Sequence, residues 1–146
     1  VILDEIEDPH NLGAIIRSAE GAGVHGVIIP KRRSATITQV VEKASAGAVS
    51  YMPVIKVTNL ALTIDKLKNE GLWIYGLDMD GAPYHNQDMK GSVALIIGNE
   101  GKGISRLLKE KCDYKVSIPM KGRVGSLNAS VAASIVIYEA LRQRGL

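Results

Sequence analysis

The chain has 146 residues, 46% of them hydrophobic and 23% charged, which fits one soluble domain with its own core and excludes a disordered chain. A formal net charge of +3 is compatible with a nucleic-acid partner and does not by itself indicate one. The single cysteine, Cys112, excludes an internal disulfide framework and suits a reducing compartment. No apolar run reaches the length of a membrane helix and no signal-peptide pattern is read at the start, so a cytoplasmic location is expected.

Strands are expected at Val1–Leu3, Val27–Ile29, Val54–Val57, Trp73–Leu77, Val93–Ile97 and Lys115–Ile118. These runs are continuously apolar, as in strands buried on both faces. Val1 stands inside such a run, so the chain reads as a piece of a longer protein. Between the strands lie helical patterns. Asn11–Gly21 ends at a glycine, and Thr38–Ala46 is a weaker pattern. Asn59–Glu70 carries Leu60, Ile64 and Leu67 on one face and stops at Gly71. Ile104–Lys111 is short, and Ser126–Arg144 repeats Leu127, Val131, Ile135 and Tyr138 before a basic last turn. Gly81–Pro83 reads as a turn in a surface loop. Strand and helix alternate, so the expected class is α/β: a six-stranded, mainly parallel sheet flanked by helices.

Two glycine-rich stretches need separating. Gly21, Gly23 and Gly26 spell a dinucleotide fingerprint, but that motif follows a strand and opens a helix. Here a helix precedes it and a strand follows, so a helix C-cap is the better reading. Gly98-Asn99-Glu100-Gly101-Lys102-Gly103 does follow a strand and precede a helix. It lacks the ending of a phosphate-binding P-loop, and the Glu100 carboxylate would repel a polyphosphate. A cationic or hydroxyl-bearing ligand suits it, with a plain helix-capping glutamate as the alternative. Ile118 to Ser130 forms a third candidate, a glycine-rich loop in which Ser126 and Asn128 can each cap the last helix.

A fourth stretch, Asp8 to Ala19, holds Asn11 and Arg17 six residues apart. At 100° per residue they point to different helix faces. They meet at one site only if Asn11 lies in the entry loop and Arg17 projects toward the sheet ends. His10, His25 and His85 have no metal-ligand spacing, so no metal is expected. Lys31-Arg32-Arg33, with Lys121, Arg123, Arg142 and Arg144, is a candidate phosphate-contacting patch.

Taken together, Asp8–Ala19, Ile96–Gly101 and Ile118–Val131 resemble, in order, the three motifs of the SPOUT superfamily of RNA methyltransferases. Within it they resemble the branch that methylates ribose 2′-hydroxyls. Val24–Pro30 and Lys43–Ala48 look most similar to bacterial enzymes acting on a guanosine ribose of large-subunit (23S) ribosomal RNA. The resemblance covers essentially the whole chain. It implies a catalytic domain spanning residues 1–146, with a C-terminal deep trefoil knot that topology rules alone would not suggest. It implies a homodimer whose sites draw on both chains, and an N-terminal RNA-binding domain that this chain lacks. It also implies S-adenosylmethionine as methyl donor, held by Gly98, Asn99, Gly101, Ile118, Met120, Ser126 and Leu127. Asn11, Arg17, Glu100, Ser126 and Asn128 take catalytic or site-organising roles.

The implied reaction is one in-line displacement, without metal or covalent intermediate, in which positioning supplies roughly 7–11 kcal/mol. A guanidinium is not deprotonated in proteins, so Arg17 is expected to stabilise the developing alkoxide or anchor a neighbouring phosphate. Glu100 is expected to orient Arg17 or another donor. The alternatives are a transfer-RNA ribose methyltransferase, a non-catalytic knotted RNA-binding module, and a nicotinamide-dependent oxidoreductase using Gly21–Gly26.

Overall fold

The computed structural model describes residues 1–145; Leu146, the last residue of the expected domain, lies outside them. In chain order the elements are β1 (Ile2–Asp4), α1 (Pro9–Gly21), β2 (Val27–Pro30), α2 (Gln39–Ala44), β3 (Val54–Val57), α3 (Leu60–Asn69), β4 (Trp73–Pro83), β5 (Val93–Gly98), α4 (Arg106–Lys111), β6 (Tyr114–Ser117) and α5 (Ala129–Gln143). The strands form one sheet in the order β3-β2-β1-β5-β4-β6, and every pairing among them is parallel.

Side chains alternate across a strand, so each apolar run feeds two cores. Leu3, Val27, Ile29, Tyr75, Leu95 and Ile97 face the layer of α1, α2 and α5, with Leu12, Ile15, Ile16, Val41, Val136 and Ile137. Their neighbours Ile2, Ile74, Ala94 and Ile96 face α3 and α4, with Leu60, Ile64, Ile104 and Leu108. That is why the central runs Ile2–Leu3 and Val93–Ile97 carry no polar face.

The Gly21–Gly26 stretch is a helix end. Val24 N–H donates to the Ala19 carbonyl and Gly23 N–H to that of Glu20, the Schellman pattern, with Gly23 at a φ of 72°. Two expectations are corrected. Gly81–Pro83 is not a loop: β4 runs on to Pro83 and pairs with β6 on both sides of an irregularity between Leu77 and Ala82. Turn residues here serve a bulge inside a strand. The first helix begins at Pro9, two residues before the expected start at Asn11, capped by the Asp8 carboxylate on His10 N–H, so Asn11 stands in its first turn and the condition for meeting Arg17 at one site is not satisfied within this chain.

The connections run outward in opposite directions from β1 and β5. Their carboxyl ends, Asp4 and Gly98, lie side by side. This is the topological switch point, where open α/β sheets hold their ligands.

Candidate active site

The loop after β5 is rigid by its own bonding. The Asn99 side-chain oxygen accepts from Gly101 N–H at 2.9 Å and Lys102 N–H at 3.4 Å, and Gly103 N–H returns to the Asn99 carbonyl at 2.6 Å. The fold-back passes so close to Gly98 that any Cβ there would strike the backbone of Gly103 and Ile104. Neighbouring loops fasten it. Asn99 Nδ2 donates to the Glu5 carbonyl at 3.2 Å, and the buried Asp4 carboxylate accepts from Ser105 N–H at 2.7 Å. Asp4 is absent from the candidates read off the sequence. Its available signal is a carboxylate closing an apolar strand at the ligand-binding edge.

Glu100 leads out of that loop to a cluster drawn from three remote segments. Its Oε1 accepts from Asn11 Nδ2 at 2.6 Å, Asn128 Nδ2 at 3.0 Å and Ala129 N–H at 3.3 Å. Asn128 Nδ2 also donates to Asn11 Oδ1 at 3.0 Å. The orientation of Asn128 is forced, because its Oδ1 caps α5 by accepting from Ser130 N–H at 2.9 Å and Val131 N–H at 3.2 Å. Asn11 lies in the first turn of α1 and Ala129 opens α5. Glu100 is therefore held at the positive ends of two helices, with Oε2 free of these bonds.

Two cavities meet at this loop. One, of about 320 Å³, is lined by Leu77, Ile97, Ile118 and Leu127 as apolar walls, with Asp78, Asp80 and Lys102 as polar groups. All seven residues expected to hold a methyl donor, Gly98, Asn99, Gly101, Ile118, Met120, Ser126 and Leu127, line it. The other, of about 450 Å³, is lined by Ile6, Glu7, Asp8, Asn11, Asn99, Glu100 and Gly101. Asn99, Glu100 and Gly101 are common to both.

The structure brings Asn11, Glu100 and Asn128 together and leaves Arg17 out. Arg17 is exposed on α1 beside Ser18, whose hydroxyl meets Ser134 of α5 at 2.6 Å. No ion pair or hydrogen bond of Arg17 occurs among the described residues, so within one chain Glu100 orients two asparagines instead. Ser126 lies outside the cap, which Asn128 supplies alone. The basic patch divides. Lys31–Arg33, Lys121 and Arg123 follow strand ends, whereas Arg142 and Arg144 sit at the far end of α5. There Arg142 pairs with Glu139 at 2.8 Å and Arg144 donates to the Met89 carbonyl at 3.1 Å. Burial pushes the Cys112 thiol up to about 11, which leaves it protonated and a poor nucleophile. Among the described residues no group of three His, Cys, Asp or Glu side chains is placed to hold a metal, and no helix is long and apolar enough to cross a membrane.

Comparison with known proteins identifies the family. The model of the SpoU rRNA Methylase family matches residues 1–138. A Staphylococcus aureus protein assigned by name to the TrmH family of tRNA/rRNA methyltransferases is 57% identical over 145 residues, 99% of this chain and 58% of its own length. The chain thus spans a little over half the length of that relative. The SpoU methyltransferase AviRb of Streptomyces viridochromogenes, solved with AdoMet, superposes with a TM-score of 0.91 at 34% identity, over 98% of this chain and 59% of its own. An RNA 2′-O ribose methyltransferase superposes with a TM-score of 0.88 at 31% identity, over 99% of this chain and 56% of its own.

Proposed function

This chain belongs to the SpoU rRNA Methylase family, and on that premise we propose that it is an S-adenosylmethionine-dependent RNA methyltransferase. It methylates a ribose 2′-hydroxyl, that of a guanosine in 23S ribosomal RNA, in the cytoplasm. The observation that carries the reading is the pair of cavities sharing the Asn99–Gly101 wall. A transfer between two bound molecules needs two adjoining pockets and a fixed group at their border, and Glu100 is that group.

The residues fit the donor. Its cavity lies at the small end of the range for small-molecule sites, with apolar walls and a few charged groups. Ile118, Leu127 and Met120 suit the apolar parts of S-adenosylmethionine, and the backbone at Gly98 and Gly101 suits its polar edge. When bound, S-adenosylmethionine supplies the methyl group to the ribose oxygen. The chain's own residues position the acceptor: Asn11 and Asn128 are locked by Glu100, and Glu100 Oε2 remains to accept from a hydroxyl.

The reading extends to a knotted homodimer. Arg17 lies on the α1–α5 layer, where Val131 and Tyr138 are exposed on α5. A two-fold partner seated there would receive Arg17 at its own site, where the guanidinium stabilises the developing alkoxide. An N-terminal RNA-binding domain belongs to the whole protein in this reading.

Calorimetric titration with S-adenosylmethionine, with NADH as control, is the first test. Labelled methyl transfer to 23S ribosomal RNA and to transfer RNA transcripts follows. Saturable binding of the donor alone and incorporation into the 23S transcript at a ribose are expected. Incorporation into transfer RNA alone would move the substrate. Donor binding without transfer to either by the full-length protein would leave a knotted binding module and sink the catalytic reading.

A further inference from the structure

We infer that Arg33 and Lys102 grip the phosphodiester beside the target ribose, in the place that the Glu5 carboxylate occupies in this structure. The inference rests on the RNA reading above and names residues that reading leaves unused. Glu5 Oε1 lies 3.3 Å from Arg33 Nη1, and Oε2 lies 4.0 Å from Lys102 Nζ. One carboxylate thus presents an oxygen to each of two cations, as the two free oxygens of a phosphodiester would. The Arg33 and Lys102 side chains are 78% and 82% exposed, whereas that of Glu5 is 22% exposed. The cations therefore keep open faces toward solvent.

Three loops converge to build this arrangement. Ala35 N–H donates to the Ile6 carbonyl at 2.9 Å, which pins the basic loop after β2 to the loop after β1. Asn99 Nδ2 holds the Glu5 carbonyl from the third side. Glu5 and Arg33 each adopt a left-handed backbone, φ 58° and 56°, a conformation held only where surroundings impose it.

The adjoining cavity explains the placement. Its walls carry Glu7, Asp8 and Glu100 and no cation. A ribose hydroxyl can enter, but a phosphate would be repelled and must stay at the rim. Lys102 adjoins Gly101 of that wall and Glu5 adjoins Ile6, so the paired cations stand where the backbone of an entering nucleotide would cross.

Filter binding of a 23S ribosomal RNA transcript between 50 and 200 mM KCl tests this, with the chain itself and the Arg33→Asn, Lys102→Gln and Glu5→Gln variants. Asparagine tolerates the left-handed backbone at position 33. Glu70→Gln, at an exposed residue closing α3, is the control for charge alone. Because both cations serve one phosphodiester, loss of either should flatten the log–log salt slope by up to about 0.7–0.9, at most about a threefold smaller loss of affinity across that range. Glu5→Gln should bind more tightly than Glu70→Gln, because only the former removes a competing anion. Unchanged slopes in both cation variants overturn the inference, as does a Glu5→Gln variant no tighter than the control. Should Arg33→Asn fail to fold, Lys102→Gln carries the slope test, its side chain being free in solvent. Methyl transfer is scored separately on the same transcript. Slopes that shift without transfer would fell the catalytic reading and leave the phosphate grip, and the converse would do the reverse.

Discussion

Replacing Asn128 by aspartate separates the two roles of this side chain. The cap survives, because a carboxylate oxygen accepts from Ser130 and Val131 N–H as Oδ1 does. The donor to Glu100 is lost, and a second carboxylate arrives at about the 3.0 Å separation of that hydrogen bond. At that distance two unit charges repel by about 1.4 kcal/mol in bulk water and about 5.5 kcal/mol at an effective dielectric of 20. The cluster is partly exposed, so the repulsion falls between these limits, equivalent to raising the proton affinity of the pair by about 1–4 pH units. Below that shared pKa one proton bridges the carboxylates and restores a donor. Asn128→Asp should therefore keep the cap yet melt below the parent at neutral pH because of this repulsion, lose roughly 10²–10³ in methyl-transfer rate, and recover part of both as pH falls. Asn128→Ala should lose about 1 kcal/mol of stability with the cap and show no acid recovery. Thermal melts and single-turnover transfer from pH 5 to 9 are the assays. An aspartate variant with full activity at high pH, or with the alanine variant's pH profile, would refute the account of Glu100 and Asn128 as a charge-matched pair.

Other predictions follow from the same geometry. Hydrogen bonds from Arg142 and then Gln143 lower the Glu139 pKa from 4.5 to about 2. Its contribution to stability is thus complete above about 4.5 and lost as pH falls toward 2; Glu139→Gln should flatten the acid limb of urea-midpoint curves, and an unchanged limb would count against this. Asp4→Ala strips the acceptor from Ser105 N–H and should cost about 1–3 kcal/mol in urea unfolding together with donor affinity by calorimetry. Asp4→Asn, which keeps a carbonyl for that bond, should restore most of both. Arg17→Ala and Glu100→Ala chains, each inactive alone, should recover about a quarter of parental transfer when mixed and reassociated, since half the two-fold dimers then hold one intact site. No recovery would place Arg17 outside a shared site.

The sheet was legible because burial on both faces leaves a simple trace: Ile96 and Ile97, adjacent in sequence, enter opposite cores. The Gly21–Gly26 stretch was legible by order alone, since a phosphate cradle needs a helix after it and here a strand follows. Two things were hidden. Gly81–Pro83 carries turn chemistry, but a strand uses the same residues where its register shifts, and only the β6 pairing distinguishes the cases. The partners of Glu100 were hidden as well. Asn11 and Asn128 are 117 residues apart, and nothing local in either segment says that their amides point at one carboxylate.

The cluster also shows why the site is compatible with a stable fold. Its hydrogen bonds are largely ones that helix ends need anyway. Asn128 Oδ1 satisfies the free N–H groups opening α5, and that obligation turns Nδ2 toward Glu100. Asp4 accepts the N–H before α4, and that bond closes the loop carrying Glu100. Capping and positioning are thus the same bonds seen from two sides, so substitutions here should move stability and transfer together, and in Asn128→Asp, which keeps the cap, the joint recovery at low pH marks the part that is charge.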